Sequence, residues 1–353
     1  DDSGRRVSPH DPLLPLLLAL PMALGGWIGA KLTLVVCAGT VAALTLWLAV
    51  RRFAAPVTSA AAVVGGFAMA PPFSTYGVQV YPALPAAVAV LVGVLAVTAE
   101  PRPERRAAQH RPGLVAPDRG TVALVVAVVA LPWLAVKYVP IAVVLAVAGL
   151  RRSWQHDRRV PVGTLLTYGL AGVGYLAIHR WLYGGWTVYA AGDHFVDGEF
   201  LVVGSDPNYP ARSRRLIGLL VDRGFGIAAW NPAFLALPPA LVGLVRSRRP
   251  GRSVVMATVA AGWATATWVA LTMHGWWWPG RQVVPVLPLG VAAIAALVGR
   301  HRPALVAVLT GAALGALSWL ILAWEASTDR RTLIVDFEET ANPWYQLWRQ
   351  ALP

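Results

Sequence analysis

Apolar stretches of near membrane-crossing length recur along the whole sequence, parted by short breaks rich in arginine. A chain built this way cannot cover its apolar surface within a water-soluble globule, so most of it must face lipid. A spanning helix needs about 20 apolar residues, and shorter ones are accommodated by tilt or local thinning. The candidate spans are Lys31–Val50, Pro56–Ala70, Ala83–Thr98, Thr121–Val136, Tyr138–Leu150, Pro161–Leu182, Pro232–Val245, Ser253–Met273, Val283–Val298 and Ala304–Trp324. Only 13% of the residues are charged, against about 25% in a soluble domain. The expected fold class is all-α, a polytopic transmembrane helix bundle of about ten spanning helices plus an outer interfacial segment. That segment is Pro12–Leu24, too short and too proline-broken to span. Residues 1–324 are expected to form one transmembrane domain with an outer loop over 183–230, and residues 325–353 an extracytoplasmic tail.

The position of the charge orients the bundle. Basic breaks fall at Arg51–Arg52, Arg102–Arg119, Arg151–Arg159, Arg246–Arg252 and Arg300–Arg302, and together they hold the entire net charge of +13. Elsewhere acids and bases balance. Excess arginine marks cytoplasmic loops, so the breaks belong on the cytoplasmic side of a plasma membrane. Thr121–Leu150 is flanked by basic breaks on both sides and therefore crosses an even number of times, turning near Pro132–Pro140. The arginines sit between apolar runs with no interleaved aromatics on a soluble module, which argues against a nucleic-acid partner. The single cysteine, Cys37, leaves no intrachain disulfide, and with Trp268 it reads as a packing residue.

Polar and aromatic residues crowd the face opposite the arginines. They include His10, Asp11, Tyr76, Gln79, Tyr81, Lys137, Tyr138, His179, Asp193, His194, Asp222, His274, Arg281 and Gln282. The run from His274 to Gln282 holds Trp276, Trp277 and Trp278 followed by Pro-Gly-Arg. Three tryptophans can line an apolar groove at headgroup depth while Arg281 takes a phosphate bidentately. They equally suit an interfacial aromatic belt with a snorkelling arginine. Lys137, alone among some thirty apolar residues, is a functional candidate by its placement, or else a lysine at a hairpin tip. Asp193-His194 and Asp222-Arg223 suit a polar substrate or plain solvation, and Asn231-Pro232 an N-cap with proline at N1. No phosphate-binding glycine loop, dinucleotide fingerprint, zinc-protease motif or Cys-x-x-Cys occurs.

Several segments, taken in order, resemble a family. Ser8-Pro-His-Asp-Pro-Leu-Leu-Pro15 with Gly25-Gly-Trp27 resembles the stretch after the first outer loop of bacterial GT-C-type glycosyltransferases, the group that includes protein mannosyltransferases and aminoarabinose transferases. Ser74-Thr-Tyr-Gly-Val-Gln-Val-Tyr-Pro-Ala-Leu-Pro-Ala86 is similar to a Y-x-x-Q-x-Y-P-E-x-P-A segment of that group. Leu131-Pro-Trp-Leu-Ala-Val-Lys-Tyr-Val-Pro140 is similar to its P-W-x-x-x-[KR]-[YF]-x-P segment. Leu216–Trp230, with Gly224-Phe-Gly-Ile, and Trp277–Leu287 extend the likeness over most of the chain.

The resemblance implies a membrane glycosyltransferase that moves a sugar from a polyprenyl-phosphate donor to a glycan, lipid or protein acceptor on the extracytoplasmic face. Lys137 and Arg281 then become the donor-phosphate ligands. The substrate groove takes His10, Tyr76, Gln79, Tyr81, Tyr138, Asp193, His194, His274, Trp276, Trp277, Trp278 and Gln282. No protein-bound metal or other cofactor is expected, and a divalent ion remains open. The family's acidic motif lies upstream of Ser8, where this chain has only Asp1 and Asp2. The main catalytic base is therefore expected upstream of Asp1, with Asp11 as the substitute within the chain. Ala83 stands where relatives often have glutamate. The alternative is a transporter or flippase of a lipid-linked sugar, or a cell-envelope scaffold.

Overall fold

The computed structural model describes residues 10–99, 119–155, 159–191, 199, 206–275, 277–330, 332 and 337–352. All regular structure among them is helical. The helices are α1 (Leu13–Arg51), α2 (Val57–Ala68), α3 (Phe73–Tyr76), α4 (Ala83–Val97), α5 (Arg119–Leu134), α6 (Val139–Trp154), α7 (Arg159–Tyr183) and α8 (Tyr209–Ser213). They continue with α9 (Arg215–Val221), α10 (Ile227–Trp230), α11 (Leu237–Arg246), α12 (Arg252–Ala264), α13 (Leu287–Val298), α14 (Arg302–Ser327) and α15 (Pro343–Ala351).

Sequence explains which helices sit centrally. α4 and α13 are apolar on every side, and a helix of that kind must be buried all round. Both are, with Leu84, Val90, Leu91 and Val94 of α4 and Leu289, Ala292 and Ile294 of α13 fully enclosed. α1, α2, α5, α6, α11, α12 and α14 surround them. The outer faces stay apolar. Leu170 is 74% exposed and Trp181 78% on α7, and Leu16, Leu20, Leu24 and Ile28 of α1 are similarly bare. Apolar patches this extensive on a monomer mark a surface that meets lipid or another chain. Three helical stretches, Leu13–Arg51, Val160–Ala190 and Arg302–Ser327, are long and apolar enough to cross a membrane.

Several boundaries differ from those read off the sequence. Pro12–Leu24 is not a separate segment. α1 takes it in and runs on to Arg51, interrupted only at Gly26, whose φ of 55° and ψ of −146° break the helix. Glycine is required for that positive φ. The bend brings Gly29 against the carbonyl of Pro21, so the first arm folds back beside the second. The expected span Ser253–Met273 ends as an α-helix at Ala264 and continues as a π-helical turn over Thr265–Val269. Its open carbonyls are capped by arginine: Arg212 reaches Trp268 and Ala270, and Arg215 reaches Ala270 and Leu271. Trp268, read as packing, also donates to Ser213 Oγ at 3.0 Å.

Thr121–Leu150 forms two short antiparallel helices. α5 stops at Leu134, Ala135 is extended (φ −167°, ψ 132°), and a 3₁₀ turn over Val136–Tyr138 leads into α6. Leu124 of α5 touches Gly149 of α6, two positions nearly equidistant from the turn. Asn231 Oδ1 accepts from Ala233 N at 3.2 Å, the cap expected of an Asn-Pro pair, although the helix it starts is 3₁₀.

Helix ends beside the basic breaks are tied to one another among the described residues, and Arg102 to Asp118 lie outside these. Arg152 donates to the carbonyls of Ala96 and Val97, Arg300 to that of Ala54, and Arg252 to that of Ser247. Thr98 abuts Gly251, and Ser59 Oγ donates to Gly299. The arginines thus satisfy open carbonyls at helix ends, where positive charge also suits the helix dipole.

Candidate functional site

At the end away from these breaks, five short helices stop around one aromatic ring. α2 leads through Pro71–Pro72 into α3, α4 begins after Tyr81–Pro82, and α5 and α6 meet at Lys137. α13 follows Arg281–Gln282 after a short turn. Tyr81 is at the centre. The Arg281 guanidinium carbon lies 4.4 Å from its ring centroid and Lys137 Nζ 5.8 Å. The His10 ring meets it edge-on at 6.0 Å, with Tyr76 at 6.1 Å.

Arg281 also lies over the Trp277 ring, 4.6 Å from its centroid. Gly280, at φ +83°, makes the turn that presents it, and a side chain there would strike Ile227. Lys137 Nζ donates to Gln282 Oε1 at 3.0 Å and lies 5.3 Å from the Tyr138 ring. Tyr76 Oη donates to the Trp278 carbonyl at 2.9 Å, fixing the tryptophan segment to α3. The sequence-predicted residues His10, Tyr76, Tyr81, Lys137, Tyr138, Trp277, Trp278, Arg281 and Gln282 are thus brought together. Arg281 Nε, Gln79 Nε2 and Tyr138 Oη are buried and make no hydrogen bond among the described residues. Buried polar atoms normally have partners, so these three are donors or acceptors that a bound group would use.

The electrostatics are one-sided. Burial holds the Lys137 ammonium down to about 8 and also lowers Arg281. His10 is lowered by burial first, then by the charges of Arg281 and Lys137, with Asp11 opposing. Two cations and a histidine sharing an aromatic pocket favour an anion.

Asp11 lies beside this cluster, but its oxygens are occupied. Oδ2 accepts from Val136 N at 3.0 Å, Oδ1 accepts from Tyr175 Oη at 2.9 Å, and His179 Nε2 faces Oδ1 at 3.1 Å. It is only 3% exposed. The sequence puts His179 on the outer face but gives no sign that it pairs with Asp11. Tyr175 shows no signal at all.

His274 stands apart from the Tyr81 cluster. Its Nε2 is 3.4 Å from Asp222 Oδ2 and its ring 4.8 Å from Phe225, while Asp222 Oδ1 caps the amides of Gly224 and Phe225. The two groups are linked through aromatics, since Trp230 meets Trp278 at 4.6 Å and stacks on Tyr345 at 4.0 Å. Asp193, His194 and Trp276 lie outside the described residues. Alongside the site, between α1, α2 and α13, is an apolar cavity of about 230 Å³ lined by Val35, Ala38, Val64, Phe67, Phe73 and Val291 among others. Among the described residues no cluster of three or more His, Cys, Asp or Glu is placed to hold a metal.

Compared with known proteins, the chain matches no family model, no curated protein and no solved structure at a significant level.

Proposed function

We propose that the chain is a multi-pass membrane glycosyltransferase that takes a sugar from a polyprenyl-phosphate donor on the extracytoplasmic face. One observation carries the reading. Lys137, which bonds Gln282 from 145 residues away, and Arg281 converge on the Tyr81 ring, with the buried Tyr138 Oη and Arg281 Nε lacking a hydrogen bond among the described residues. Their charged ends lie no further apart than their two distances to that ring taken together. A phosphate fits between such a pair, and stabilising it as it leaves is what sugar transfer from a lipid phosphate requires.

The short helices support a recessed, lipid-accessible position. α2 and α13 have 12 residues and α4 has 15, whereas α7 has 25 and α14 has 26. At about 1.5 Å per residue, the cluster sits roughly 18–22 Å from the arginine end, and the long helices extend to nearly 40 Å. A lipid whose tail stays in the hydrocarbon can therefore present its phosphate to Arg281 from the side. The sequence resemblance of the motifs around Tyr76, Lys137 and Trp277 points the same way.

The test is binding of a sugar-free polyprenyl monophosphate to the protein in nanodiscs, read by tryptophan quenching, followed by transfer assays with lipid-linked sugars. Saturable binding, weakened at least tenfold in Lys137→Ala and Arg281→Ala, is the expected result. No binding, or binding indifferent to both substitutions, would remove the donor site. Movement of the lipid between leaflets with no sugar transfer would replace the enzyme with a transporter.

A further inference from the structure

We propose that Asp11, His179 and Tyr175 form a buried, charge-neutral clamp that holds the turn after Ala135 and so aims Lys137 at Arg281. Asp11 is then a positioning residue and not the base. The functional consequence rests on the anion-binding reading of Lys137 and Arg281; the clamp itself rests on geometry alone.

The argument starts at the helix break. Ala135 is extended, so Val136 N–H follows a broken helix and is closed off by Asp11 Oδ2 at 3.0 Å. An unpaired buried N–H is costly, and Asp11 supplies the acceptor from 125 residues away in the sequence. One residue further on, Lys137 reaches Gln282, the neighbour of Arg281. Pinning Val136 therefore sets where Lys137 can reach.

Asp11 is itself held from α7. His179 Nδ1 is 2.8 Å from the Tyr175 carbonyl, which can only accept, so Nδ1 carries a hydrogen. Its other nitrogen faces Asp11 Oδ1, where Tyr175 Oη also arrives. Carboxyl and imidazole hold one proton between them, so the pair is neutral as a unit whichever atom carries it. That neutrality makes it tolerable at 3% and 0% exposure. Rings close around it: Tyr175 stacks on His179 at 3.8 Å, and Trp133 lies 5.2 Å from Tyr175 and 5.4 Å from His179. A general base needs a free lone pair within reach of the acceptor hydroxyl. Asp11 instead faces Val136 N, Tyr175 Oη and His179 Nε2 and is only 3% exposed, which closes it to an acceptor hydroxyl.

The asparagine variant separates the roles. In Asp11→Asn the amide oxygen can accept from Val136, and the NH₂ can donate to a neutral His179 Nε2 and to Tyr175 Oη. The clamp survives without a carboxylate. In Asp11→Ala it is lost. The chain has just two lysines, Lys31 and Lys137, so amine labelling followed by mass spectrometry reads Lys137 by itself. The full chain in nanodiscs is labelled across a pH series, with no ligand needed.

Wild type and Asp11→Asn should label Lys137 with the same midpoint, near 8. Asp11→Ala and His179→Ala should shift it up by about one unit or more, toward the free-amine value near 10.4, as the side chain swings into water. Tyr175→Phe, a milder loss, should move the midpoint in the same direction by less. An unchanged Lys137 profile in Asp11→Ala and His179→Ala would overturn the clamp. Loss of sugar transfer in Asp11→Asn with a wild-type profile would make Asp11 the base after all. Because labelling needs no substrate, failure of the glycosyltransferase reading leaves this result standing, and the reverse also holds.

Discussion

Arg281 lies over the rings of both Tyr81 and Trp277, 4.4 and 4.6 Å from its guanidinium carbon. A planar cation can stack this way and still direct its edge N–H groups at a phosphate, whereas an ammonium cannot do both. Arg281→Lys should therefore weaken lipid-phosphate binding about tenfold or more, since charge-assisted hydrogen bonds contribute about 1.5–3 kcal/mol each. An equal affinity would mean that the arginine only supplies charge. Lys137 adds a pH signature. Burial lowers its ammonium to about 8, so the charged form that attracts an anion is complete below that pH and is lost above it. A bound phosphate would in turn raise that value. Affinity should fall as pH rises through about 8 and lose this step in Lys137→Met. A binding curve level from pH 6 to 10 would remove Lys137 from the contact.

At the scale of elements, what the sequence reveals depends on the range of the forces that shape each one. The α5–α6 hairpin was legible because Pro132, Pro140 and two flanking arginine breaks are local signals. The buried helices α4 and α13 announce themselves by being apolar on every side. The bend at Gly26 was hidden, because two neighbouring glycines show permission to bend and not its direction. Neither could the pairing of Asp11 with His179, 168 residues apart, be read from spacing. The tail beyond residue 325 is a further case. Glu325, 4% exposed, accepts from Thr340 Oγ1 at 2.9 Å and Ala341 N at 2.7 Å. Asn342 donates to Ser318 Oγ at 2.8 Å and caps α15 through Trp344 N. Tyr345 then buries against Trp230, so the segment is docked onto the bundle. Glu325→Ala removes both contacts, and about 1.4 kcal/mol is already a tenfold change in an equilibrium. Trypsin cleavage at Arg349 should accelerate at least tenfold in that variant with the bundle intact. An unchanged rate would show that the aromatic stacking alone retains α15.

For the whole molecule the decisive quantity is the side of the membrane on which the arginines lie. The breaks hold the entire net charge of +13, and the contacts of Arg152 with Ala96 and Val97, Arg300 with Ala54, and Thr98 with Gly251 join described helix ends beside them. The Tyr81 cluster and the docked α15 lie at the other pole. Loops rich in arginine are retained in the cytoplasm as a membrane protein inserts, so charge sets the expected orientation where seven of the ten expected spans fall on helices too short to be assigned by length. A lipid-linked donor used outside the cell requires the Tyr81 pole to face outward. Reporters fused after Arg52, Arg106, Arg158, Arg249 or His301 should thus behave as cytoplasmic, and fusions at Pro207 or Asn342 as external. The fusions at Pro207 and Asn342 are the more informative, because they lie on either side of α11–α14. Opposite signals at Pro207 and Asn342 would mean an odd number of crossings between them, and a cytoplasmic signal at both would invert the protein and place Lys137 and Arg281 on the wrong side for such a donor.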